Sequence, residues 1–132
     1  MTRKLWILAA AVLLLDGAAC GGESSSPAQP GTLRVSLTTP NTDDGAILFE
    51  VSGPAIDTIV PVNASYRLFT RRIGSTTVRS VLAGPVANGT VATLEVPDVG
   101  AAGSYTATVT EVVDRQNQVR SPLTGYQLQV AP

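Results

Sequence analysis

From Gly31 onward, apolar residues recur at every second position. Leu33, Val35 and Leu37 share one side of Thr32 to Thr38, and Ile47, Phe49 and Val51 share one side of Ala46 to Ser52. Such a period marks strands with one buried and one wet face. It predicts further strands over Thr58 to Val62, Ser65 to Arg72, Thr76 to Ala83 and Thr90 to Val96, the last with Ala92, Leu94 and Val96 inward. In Ser104 to Val113, Tyr105, Ala107 and Val109 alternate with threonines; in Gly125 to Val130, Tyr126, Leu128 and Val130 alternate with glutamines. Turn-forming residues separate the runs at Pro40 to Gly45, Asn63-Ala64, Ile73 to Ser75 and Gly84 to Gly89. No stretch after the leader keeps a helical period. Seven or eight short strands in about a hundred residues predict an all-β, two-sheet antiparallel β-sandwich over 32–132. A domain of that size folds without needing a metal or a disulfide.

The N-terminal part has a different pattern. Arg3 and Lys4 precede an unbroken apolar run from Leu5 to Leu15, and Gly17-Ala18-Ala19 follows. This order predicts an export signal peptide over 1–19. A helical run of that length rises only about 16 Å, roughly half of a hydrocarbon core, which favours a signal over a membrane span. Gly17-Ala18-Ala19-Cys20 resembles the lipobox of bacterial lipoproteins, in which Leu, a small residue and Gly or Ala precede a cysteine that becomes diacylated. Ala18, Ala19 and Cys20 match that pattern, while Gly17 stands where the family prefers Leu. The same small residues also suit ordinary signal cleavage after Ala19, which would release a free secreted domain. The resemblance implies lipid attachment at Cys20, a membrane partner through the acyl chains, and a place in the cell envelope. Gly21, where an Asp would signal inner-membrane retention, implies the outer membrane in a Gram-negative host. Each buried methylene contributes about 0.8 kcal/mol, so several chains anchor durably. The following GGESSSPAQPG is small and polar. It predicts a flexible tether over 20–31 that spans roughly 35 Å when extended.

Composition narrows the function further. Beyond Cys20 the chain carries seven Arg, spread from Arg34 to Arg120, against nine carboxylates and no Lys. A scattered, mildly acidic set excludes the concentrated basic surface that nucleic-acid binding requires. Cys20 is the only cysteine, so neither an intrachain disulfide nor a thiolate-rich zinc site is available. The chain contains no His, which removes Ser-His-Asp triads, His-based metal sites and His general bases. Glu50, Glu95 and Glu111 fall one to a strand, and Asp43, Asp44, Asp57, Asp98 and Asp114 sit near turns where Asp bonds locally. A two-carboxylate glycosidase is the enzyme class left open; the expectation is no enzyme, no cofactor and no metal. Asn41-Thr42-Asp43-Asp44-Gly45 offers adjacent oxygens to calcium. It lacks the alternating acids and distal Glu of a twelve-residue calcium loop, which favours a turn. Arg67, Arg71, Arg72 and Arg79 form the densest positive cluster, and alternation places Arg67 and Arg71 on one face. Guanidinium forks suit an anionic glycan or a phosphate headgroup; equally, such charges keep an edge strand from pairing with other chains.

Two further resemblances bear on the domain. Asp98-Val99-Gly100-Ala101-Ala102-Gly103-Ser104-Tyr105 resembles the Asp-x-Gly-x-Tyr corner of immunoglobulin-like domains, lengthened by two residues. It implies a Tyr105 hydroxyl bonded to nearby backbone, in a domain of the disulfide-free bacterial kind. Over Leu33 to Val130 the order of elements is similar to cohesin-type and carbohydrate-binding sandwich modules. The pieces that carry this likeness are Gly45-Ala46-Ile47-Leu48-Phe49-Glu50-Val51, Val78-Arg79-Ser80-Val81-Leu82-Ala83-Gly84 and Gly89-Thr90-Val91-Ala92-Thr93-Leu94-Glu95-Val96. The expectation is a lipid-anchored, non-catalytic binding or structural module with a protein or glycan partner. A carbohydrate-binding or cohesin-type adhesion module is the alternative.

Overall fold

A computed structural model describes residues 25–132. The expected export signal and the lipid-attachment residue Cys20 lie outside the described residues. Residues 25–30 are exposed and carry no regular structure. Eight strands follow: β1 Gly31–Thr38, β2 Asp44–Ser52, β3 Thr58–Pro61, β4 Arg67–Ile73, β5 Thr77–Val86, β6 Gly89–Val96, β7 Thr106–Asp114 and β8 Gln127–Ala131. A short 3-10 segment, Val99–Ser104, precedes β7. The strands form two antiparallel four-stranded sheets, ordered β3-β6-β1-β8 and β4-β5-β2-β7. This is the all-β sandwich that the alternation predicts, an architecture that immunoglobulin-like and cohesin-like domains share.

The core is the set of inward positions. Leu33, Val35 and Leu37 from β1, Ile47, Phe49 and Val51 from β2, and Ala92, Leu94 and Val96 from β6 are all buried, joined by Val78, Leu82 and Val112. Three register slips shift the phase, and the one between Asp44 and Ala46 in β2 leaves Asp44 buried three residues before Ile47. In β7 the register slips opposite Leu48/Phe49, so Thr110 and Glu111 both face water and Val112 turns inward after Val109. In β6 the slip opposite Val35/Ser36 leaves Val91 and Ala92 both buried. A bulge spends one extra residue and thereby re-aims everything that follows it.

Several strand ends depart from expectation. β5 runs through Gly84 and Pro85 to Val86, which the sequence reads as a loop. Gly84 allows this with φ +142°, and a Cβ there would lie 2.6 Å from the Ser65 carbonyl oxygen. Only Ala87 and Asn88 remain as the turn, and Asn88 Oδ1 accepts a 2.7 Å hydrogen bond from the Thr39 backbone. β7 starts late because Asp98 caps the 3-10 segment, accepting from the Gly100 amide at 2.9 Å. Tyr105 also differs from the immunoglobulin-like corner. Its hydroxyl donates to the Ala55 carbonyl, 50 residues away, instead of to nearby backbone. Its ring lies against Gly53, where a Cβ would come within 2.2 Å of the ring. Tyr105 thus pins the crossover from β2 to β3, where the chain passes between sheets.

The two ends of the sandwich differ in role. Residues before β1 enter beside the 3-10 segment, where the Gln29 amide donates to Asp98 Oδ1 at 3.1 Å and the Val99 amide donates to the Gln29 carbonyl at 2.8 Å. The turn from β1 to β2 lies at the opposite end. Phe49 is fully buried at the centre. Replacing Phe49 with Ala is expected to lower stability by about 3–5 kcal/mol in urea titrations followed by circular dichroism. Val81→Ala, on the outer surface, is expected to change it by about 0.5 kcal/mol or less.

Candidate functional site

The register of the β4-β5-β2-β7 sheet sets three rows across its outer face. Arg67, Ala83, Ala46 and Val113 form one row; Phe69, Val81, Leu48 and Glu111 the next; Arg71, Arg79, Glu50 and Thr108 the third. These residues face outward because their sequence neighbours Ile47, Phe49, Leu82 and Val112 occupy the core. Phe69 is 65% exposed and Val81 38%, an apolar strip left in water. The surface there is a shallow continuous groove. One stretch, of about 390 Å³, is bounded by Gly84, Arg115 and Asn117 and shares Ala46 and Val113 with the next; that stretch in turn shares Leu48 and Val81 with the part between Phe69, Arg71 and Arg79.

The arginines predicted as a cluster divide. Arg67, Arg71 and Arg79 share this outer face, and Arg71 stands directly opposite Arg79. Like charges in that position cost a few tenths of a kcal/mol, and Glu50 offsets this by accepting from Arg79 Nε at 2.7 Å. Among the described residues no carboxylate forms an ion pair with Arg67 or Arg71. Arg72 points to the other side. Its Nη2 donates to the Ile56 and Asp57 carbonyls, at 2.5 and 2.9 Å, and so holds the segment entering β3. Sequence reasoning missed Phe69, although its position two residues from both Arg67 and Arg71 marks it as an apolar side chain in the outward phase.

The carboxylates also sort by sheet. Glu50 and Glu111 sit in adjacent rows of the outer face, whereas Glu95 lies exposed on β6 in the other sheet. At the end opposite the chain's entry into β1, Asp44 is fully buried. It accepts hydrogen bonds from Thr39 Oγ1 at 2.6 Å, the Tyr126 hydroxyl at 2.8 Å and Arg120 Nε at 3.1 Å. Arg120 also pairs with Asp43 through Nη2, and Asn41 Nδ2 donates to the Tyr126 hydroxyl at 2.7 Å. The two acids that the sequence offers to calcium therefore face a guanidinium that already supplies positive charge. Among the described residues no group of three or more His, Cys, Asp or Glu is placed to hold a metal ion. Desolvation pulls the Arg120 pKa down, but the Asp44 hydrogen bond and the charge of Asp43 outweigh it, and the group is held above its ordinary value. Arg120 is charged throughout the working range, and its stabilising contribution is lost only as pH rises through that raised pKa.

The chain matches no protein-family model, no curated protein and no solved structure. Its chemistry must be judged from its own geometry. The described residues present a buried ionic clasp at one end and an open, apolar, arginine-edged face on one sheet. The clasp joins elements 76 residues apart and leaves no carboxylate oxygen of Asp44 without a donor. Its role is to hold the turn from β1 to β2 against the segment before β8. Asp44→Ala removes the buried acceptor shared by Thr39, Tyr126 and Arg120 Nε, and is expected to lower unfolding free energy by about 3 kcal/mol in urea titration. Asp43→Ala removes only the half-exposed partner of Arg120 and is expected to change it by about 1 kcal/mol or less.

Proposed function

We propose that this protein is exported, anchored through lipid on Cys20, and serves as a non-catalytic binding or structural module of the bacterial cell envelope. The observation that carries the binding role is the groove on the outer face of β4-β5-β2-β7, with Phe69 65% exposed at one end. A contiguous apolar strip in water is a standing free-energy cost that a partner removes. The leader pattern and the lipobox resemblance support the anchor. The tether joins the domain at the end opposite the Asp44 clasp, an arrangement that suits display away from a membrane.

A non-catalytic role is supported by the state of the acids. Glu50 is engaged by Arg79, and Glu111 lies open to water on a sheet face. Carboxylate catalysis needs two acids flanking a substrate cleft, and Glu50 and Glu111 lie side by side on an open sheet face instead. Phe69 in an open groove also favours a second reading, a carbohydrate-binding or cohesin-type adhesion module, since an exposed ring stacks on a sugar face. A glycan array blank across plant, algal and bacterial polysaccharides would remove that alternative.

The anchor is tested by intact mass and membrane fractionation of the protein expressed in a bacterial host beside Cys20→Ala. Wild type is expected to gain a diacylglyceryl mass and sediment with membranes, while Cys20→Ala remains soluble. Identical soluble forms cleaved at the same point would replace the anchor with a free secreted domain. The face is tested by capture from envelope extracts: Phe69→Ser is expected to lose most of what the wild-type protein retains.

A further inference from the structure

The outer face of β4-β5-β2-β7 is polarised across its width. Arg67 and Arg71 lie on β4 at one edge without ion-pair partners among the described residues. Glu111 lies exposed on β7 at the opposite edge, in the row of Phe69 and therefore midway between the rows of the two arginines. Val81 and Leu48 occupy the centre of that same row.

We infer that this face docks onto a second copy of this chain, the two meeting about a two-fold axis that runs parallel to the strands between β5 and β2. This inference rests on the reading of the outer face as the working surface. A two-fold interface uses one patch twice, so residue i meets j and j meets i. That axis lays β4 of each copy over β7 of the other. Each Glu111 then falls between the rows of Arg67 and Arg71 of the second copy, about 7 Å along the strand from either. Val81 falls over Leu48 and closes an apolar centre between the charged edges.

The sign pattern selects this occupant over a uniformly anionic polymer. Such a polymer would meet the unpaired Glu111 on the β7 side of the face, whereas a second copy sets each Glu111 between the rows of Arg67 and Arg71 and each Glu50 over Arg79. The area is adequate for a weak interface. Four strands about 4.8 Å apart and seven residues about 3.4 Å each span roughly 450 Å² per copy before side-chain relief, close to the 1,000 Å² total that a specific interface needs. Tethering to one membrane surface strengthens such a contact by raising effective concentration.

The test uses the whole chain in mild detergent, followed by native mass spectrometry and light scattering up to about 1 mM, the effective concentration a short tether sets. Two charge variants are compared, Arg67→Glu/Arg71→Glu and Glu111→Arg, with circular dichroism confirming that each is folded. Wild type is expected to populate a dimer, and each variant alone to weaken it by roughly tenfold or more. An equimolar mixture of the two variants is expected to restore association, because every reversed charge then meets its opposite. A wild-type protein that stays monomeric, a dimer that neither variant weakens, or a mixture that fails to recover would each overturn the inference. If wild type is monomeric while Phe69→Ser still loses envelope capture, the face binds another partner and only the second copy is wrong. If Phe69→Ser captures as wild type does, the face itself is not the working surface.

Discussion

The pleat of a strand, which sends neighbouring side chains to opposite faces, governs nearly everything else in this domain. Once Ile47, Phe49 and Val51 are committed to the core, Leu48 and Glu50 must face water; once Leu82 is inside, Val81 and Ala83 are outside. The outer face is thus not independent of the core. It is the complement of it, and its rows inherit their alignment from backbone hydrogen bonds that the core positions hold in place. The bulges are the exceptions with consequences. Without the slip in β7 opposite Leu48/Phe49, strict alternation from Val109 would turn Glu111 inward and Val112 outward.

Both ends of the sandwich are tied by polar groups that reach across long stretches of chain. At the end where the chain enters β1, Tyr105 holds the crossover between sheets by its hydroxyl and by ring contact with Gly53, where any side chain would collide. At the far end, Asp44 gathers donors from Thr39, Arg120 and Tyr126. A fully buried carboxylate is costly unless each oxygen is met, and here three donors from the β1-β2 turn and the β7-β8 connection meet it. These ties fix the register of the connections, which the apolar core does not specify, since hydrophobic burial has no preferred direction.

The outer face differs from these ties because its polar groups are incompletely used. Arg79 is neutralised by Glu50, and Arg72 is turned away to hold backbone carbonyls. Arg67, Arg71 and Glu111 have no such commitments among the described residues, and Phe69 stands between the two arginines with most of its ring in water. Charges on an edge strand also discourage indiscriminate strand pairing, so β4 resists unspecific association while it offers a directed one.

The local period of the sequence determined the fold class, the strand cores and the inward residues, because alternation over five or more positions is set by neighbours along the chain. Leu33, Val35, Leu37, Ile47, Phe49, Val51, Ala92, Leu94 and Val96 were all legible in this way. The pairing of Arg67 with Arg71 was legible for the same reason, and Phe69 should have been. What tertiary structure alone decided is everything that joins distant segments. That Arg72 leaves the cluster depends on the Ile56 and Asp57 carbonyls coming within reach, and that Tyr105 bonds to Ala55 depends on the crossover. That Asp43 and Asp44 meet a guanidinium depends on Arg120, 76 residues beyond Asp44, being brought back by the β7-β8 connection. Sequence carries the period of each strand, but the order of strands in a sheet and the slips between them arise from packing two sheets around one core, and only there do these partners meet.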